Sequence, residues 1–122
     1  MKYEDLLSLP FEINGRFGKT EGIDCYGVCI EMVHRDGRIL NDVVYPSLRI
    51  PAAQAEAYSE KLNVAPIAEE EAGEGDIVQG EYEGYLHVAY MLDKKTVIHA
   101  TFSGVRVSPI IAIKNRKYMR VQ

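Results

Sequence analysis

The sequence has no tryptophan, only two cysteines and no run of apolar residues long enough to cross a bilayer. Positive charge is also in short supply: Lys and Arg number 14 against 18 Asp and Glu, a formal net charge of −4 at pH 7. Each shortage excludes something. A spanning helix needs roughly 20 consecutive apolar residues, so no membrane insertion is expected. Nucleic-acid proteins carry a basic face, so no nucleic-acid partner is expected. Two cysteines make no disulfide scaffold. Cys25 and Cys29 stand one helical turn apart, where a bridge would be strained, and a single C-x-x-x-C lacks the second ligand pair of a zinc knuckle. Free thiols follow. The opening MKYEDLLSLPFEING has Glu4 and Asp5 where an export signal would be basic and then apolar. No export signal is expected, and the chain would be cytoplasmic as synthesised.

What is present is ordinary globular material. The chain has 122 residues, 47% of them hydrophobic and 26% charged, which suits one domain with a real core over 1–122. Met1 to Leu9 can form a short helix stopped by Pro10, and Gly15, Gly18 and Gly22 mark a turn-rich segment after it. Asp24 is a suitable N-cap for a helix carrying Val28, Met32 and Val33 on one stripe and stopping at Gly37. That puts Cys25 in the first turn. A second helix is expected from Pro51 through AAQAEAYSEKL. Beyond the acidic loop EEEAGEGD, the segments DIVQG, GYLHVAYML, TVIHATF, GVRVSPIIAI and RKYMRVQ read as strands. Lys114, Arg116, Lys117 and Arg120 alternate along the last of them, the pattern of a charge-protected edge strand. Helices first and strands after predict an α+β domain with a mostly antiparallel sheet.

A cysteine in a first turn faces unpaired N–H groups and the positive end of the helix dipole. That favours thiolate and can stabilise an oxyanion on an attacked carbonyl. The histidines supply a base. A three-residue loop at 93–95 pairs Leu92 with Thr96 and Ala89 with His99, so His87 lies diagonally from His99 on one face of the hairpin; a loop at 92–94 would pair the two histidines directly. Val88, Tyr90, Leu92, Ile98, Ala100 and Phe102 make up the opposite, apolar face. Thiol, imidazole and a second polar group to fix the tautomer are the parts of nucleophilic acyl transfer. Other readings are a zinc site built from Cys25, His87 and His99, and a groove for sugar or peptide lined by Tyr82, Tyr85 and Tyr90.

GIDCYGV around Cys25, GDIV from Gly75, LHVAYML around His87 and VIHATFSGVRVSPI around His99 occur in an order that resembles the NlpC-type cell-wall peptidases, with PFEING upstream. The resemblance implies a papain-like fold: N-terminal helices, with the cysteine helix packed on a mostly antiparallel sheet of about five strands. It implies a cysteine peptidase that needs no cofactor and cleaves an amide bond of peptidoglycan stem peptides, commonly beside D-γ-glutamate, through a thioester. Cys25 would be the nucleophile, His87 the base and His99 the third polar residue. Asp24 would hold a free substrate amine, and Tyr26 and Phe11 would shape the substrate pocket. The pattern departs at three places. Phe11 stands where the family has a tyrosine, Ile13 where it has a tryptophan, and Tyr26 where a serine follows the cysteine. The aromatic Tyr26, the minimal domain and the absent signal are similar to phage- and prophage-tail versions, which implies a tail protein as partner. A non-catalytic tail-assembly or wall-binding module on the same fold is the alternative.

Overall fold

The computed structural model describes residues 3–42 and 62–122. A 3-10 turn, Glu4–Ser8, takes the place of the expected N-terminal helix. The helix α1 spans Cys25–Arg35 and ends as expected, with Gly37 at φ +90°, a conformation that costs glycine little. The second helix expected from Pro51 lies outside the described residues. Among the described residues no helix is long and apolar enough to cross a membrane.

Six strands follow: β1 Val64–Ile67, β2 Ile77–Tyr82, β3 Tyr85–Met91, β4 Thr96–Thr101, β5 Gly104–Pro109 and β6 Lys114–Val121. They form one antiparallel sheet in the order β1-β6-β2-β3-β4-β5. The fold is α+β, with one more strand than the five expected. The extra strand, β1, carries Pro66, which weakens its pattern but suits an edge position. GVRVSPIIAI is not continuous: a 3-10 turn, Ile110–Ala112, separates β5 from β6. The basic last strand is not an edge. β6 lies between β1 and β2, and its charges are answered locally, Arg120 by Asp76 at 2.9 Å and Arg116 by the Tyr118 hydroxyl and the Ile113 carbonyl.

The histidine hairpin closes in the register of the 93–95 loop, the first of the two the sequence allowed. Tyr90 pairs with Ile98 and Met91 with Val97, and Leu92 N–H donates to the Thr96 carbonyl at 2.9 Å across the 93–95 loop. Period-two alternation then sorts the side chains. Val88, Tyr90, Ile98 and Ala100 share a core with Val28, Cys29, Met32 and Val33 of α1. Burying Val28, Met32 and Val33 contributes on the order of 6 kcal/mol, against about 1 kcal/mol for an N-cap. Packing therefore holds α1 on the sheet, while Asp24 sets where it starts. The other face buries Ala89, Met91 and Val97 with Val78, Ile110 and Ile113. The two histidines sit on that second face.

A candidate active site at the start of the cysteine helix

The nucleophile segment is built around Asp24. Its backbone is extended (φ −102°, ψ 179°) and its side chain accepts from Gly27 N–H, so it is the N-cap of α1. Oδ1 takes Gly27 N–H at 2.7 Å and Arg16 Nη1 at 2.8 Å, and Oδ2 takes Asn14 N–H at 2.7 Å. Arg16 reaches on to Asp42 at 2.9 Å. Burial raises the Asp24 carboxyl, against the pull of Gly27, Arg16 and Asn14. With 2% of its surface exposed and both oxygens taken, Asp24 offers no face to a substrate amine; it ties the 14–16 loop to the helix start.

Cys25 is the first residue of α1 and is partly exposed. What it meets follows from sheet geometry. The two-residue turn Glu83-Gly84, both at positive φ, pairs Tyr82 with Tyr85. In that ladder Val88 is a non-hydrogen-bonded position, so its N–H points toward β4. The β3–β4 pairs, however, run only through Tyr90↔Ile98 and Met91↔Val97. The strands part at Val88, and its freed backbone group lies close enough to the Cys25 thiol to pull it down. The sulfur therefore lies against the stretch of β3 that carries His87.

The thiol is not acidified. Burial pushes it up to about 11, and the Asp24 carboxylate adds to the rise; the backbone groups of Val88, Tyr26 and Cys25 itself pull the other way. This corrects the expectation of a thiolate favoured by the helix start. The helix N–H groups act in the expected direction, but desolvation outweighs them.

His87 is 7% exposed and His99 fully buried. They are directly bonded, His87 Nε2 to His99 Nδ1 at 2.7 Å, and His99 Nε2 contacts Ser108 Oγ at 2.8 Å. Among the described residues His87 Nδ1 has no hydrogen-bond partner. Burial, with His99 adding, lowers His87 to about 3; burial, with Arg106 adding, lowers His99 to about 4. Tyr82 stacks on the His87 ring at 5.0 Å and meets His99 edge-on at 5.1 Å. Gly80 lies directly opposite His87. A Cβ there would collide with the Lys114 carbonyl, so only glycine lets β6 cross so close.

The other expected site residues fare differently. Phe11 bridges Ile23, two residues before Cys25, and packs edge-on against Phe102 at 5.1 Å. It flanks the site and carries no hydroxyl. Tyr26 is 1% exposed in the helix core, its hydroxyl donating to the Asn41 carbonyl, so it does not shape a substrate pocket. Of the groove tyrosines, Tyr90 is buried and donates to Asp36, while Tyr85 lies against Phe102. Ser108 was absent from the expected set although its register is legible: β5 pairs Ser108 with Val97, which places it on the histidine face, diagonal to His99. Among the described residues no group of three or more His, Cys, Asp or Glu side chains is arranged to hold a metal. His87 Nε2 and His99 Nδ1, two of the four nitrogens a Cys-His-His zinc site could draw on, are bonded to each other.

The NlpC/P60 family matches the chain over residues 9–121. No curated protein matches it.

Proposed function

The chain belongs to the NlpC/P60 family, whose general function is that of a cell-wall peptidase, and from that premise we propose that it hydrolyses an amide bond of peptidoglycan stem peptides with Cys25 as nucleophile, His87 as base and His99 orienting that base. The observation that carries this reading is the 2.7 Å bond between His87 Nε2 and His99 Nδ1. It occupies one nitrogen of His87 and leaves Nδ1 for the thiol, on the strand whose next residue, Val88, has its backbone beside the sulfur and pulls the thiol down.

With the thiol raised to about 11 and His87 lowered to about 3, the resting pair is neutral thiol and neutral imidazole. The proton passes from Sγ to His87 Nδ1 as sulfur adds to the scissile carbonyl, not before. Backbone N–H groups at the start of α1 stabilise the oxyanion. Collapse expels the amine, which takes the proton from His87, and leaves a thioester on Cys25. Water, deprotonated by the same imidazole, then releases the acid. The unit at work is one domain over 1–122, acting at the cell wall. Digestion of purified muropeptides followed by mass spectrometry tests the reading: wild type yields cleaved stem peptides and Cys25→Ala yields none. Intact stem peptides after long digestion by folded wild-type protein would sink it.

Two observations favour the second reading, a non-catalytic wall-binding or tail-assembly module. The thiol is raised, not lowered, and Phe11 has no hydroxyl to offer an oxyanion. Wall binding undiminished in Cys25→Ala, with no turnover by wild type, is what that reading requires.

A further inference from the structure

The hydrogen-bond chain does not end at His99. His99 Nε2 lies 2.8 Å from Ser108 Oγ, and Ser108 stands on the edge strand β5, partly exposed. We propose that Ser108 is a fourth, positioning member of the relay, the acceptor that lets His99 receive the proton of charged His87. The proposal rests on the peptidase reading above and extends it by one residue.

The reason lies in the direction of the hydrogen bonds. A serine hydroxyl both donates and accepts, so the chain could run either way. Only the His87 tautomer with Nδ1 free and the proton on Nε2 can take the thiol proton, however, and that tautomer donates to His99. Once His87 has taken the thiol proton on Nδ1, both of its nitrogens carry hydrogen, and Nε2–H must donate to His99. His99 Nδ1 must then hold the lone pair, so its one proton sits on Nε2 and points at Ser108. In the charged state, as in the neutral tautomer that can act as base, an acceptor at position 108 is obligatory. His99 is fully buried, and a buried N–H left unpaired is costly. Ser108 can accept without loss, since its partly exposed hydroxyl can donate its own hydrogen to solvent. Arg106, exposed and directly opposite His99, cannot substitute, being a donor only.

An interaction that serves the base and does not touch substrate changes turnover more than binding. On a cleaved muropeptide, Ser108→Ala is expected to lower kcat about tenfold with KM within about twofold, and Ser108→Thr, which keeps the hydroxyl, to restore kcat. Proton NMR of the same three proteins gives a readout independent of turnover: a downfield His99 Nε2–H resonance, present in wild type and Ser108→Thr and lost in Ser108→Ala. Unchanged kcat in folded Ser108→Ala would overturn the proposal, as would equal losses in the alanine and threonine variants, which would mark a packing role. If wild type cleaves no muropeptide, the peptidase reading fails on its own account. The resonance then decides for the relay: its presence in wild type and loss in Ser108→Ala supports the chain, and its absence from wild type overturns it.

Discussion

His87 and His99 are bonded ring to ring, Nε2 to Nδ1 at 2.7 Å, just where β3 and β4 stop pairing. The parting of the strands leaves the backbone of Val88 beside the Cys25 sulfur, and the pairing of the rings occupies His87 Nε2 while Nδ1 has no hydrogen-bond partner among the described residues.

The ring pair makes His99 matter without its touching substrate. His99→Ala leaves His87 Nε2 with no partner in a nearly closed site. We expect at least a 10²-fold fall in cleavage rate, the scale of losing an oriented base, while Cys25→Ala abolishes cleavage. Steady-state kinetics on one purified muropeptide checks both. A His99→Ala enzyme within about twofold of wild type would remove His99 from the mechanism.

The raised thiol predicts slow alkylation at neutral pH. Between pH 6 and 10 the rate of Cys25 modification by iodoacetamide should climb about tenfold per pH unit without levelling, because thiolate forms only near pH 11. Cys29, fully buried and also raised by burial, should react more slowly still. A plateau below pH 8.5 would mean a preformed thiolate and would contradict the neutral resting pair.

Acid should destabilise the fold through the same histidines. Both are depressed below the ordinary value of about 6.5, so between about pH 6.5 and 3 the unfolded chain binds more protons. Stability rises with pH there and is lost as pH falls, by up to about 1.4 kcal/mol per pH unit for each histidine. Urea denaturation at pH 7 and pH 4 should show a smaller loss for His87→Asn than for wild type. Equal losses would mean that His87 is not held neutral by the fold.

Asp24 separates scaffold from substrate contact. Asp24→Ala removes the helix cap and one carboxylate partner of Arg16, which should cost about 2–4 kcal/mol in thermal or urea denaturation. A variant as stable as wild type but poorer in KM would instead give Asp24 the substrate role first expected of it.

The start of α1, the hairpin register and the shared face of His87 and His99 were all legible in the sequence, because caps and period-two alternation are local. Desolvation is not. The acidity expected of Cys25 from its helix position is overturned by the apolar layer packed around it, which only the assembled sheet supplies. Tyr26 and Asp24 were expected at the substrate for being next to Cys25, yet both turn inward, to Asn41 and to Arg16. The interior place of β6, next to the edge, depends on β1, whose Pro66 hid it.

The most direct test is the reaction of a stem-peptide aldehyde with the protein at pH 7, followed by intact mass and peptide mapping. The account predicts a hemithioacetal on Cys25 in wild type, strongly weakened in His87→Ala and absent from Cys29. No adduct with folded wild type, or one equally strong in His87→Ala, would contradict the claim that Cys25 and His87 form a working nucleophile and base.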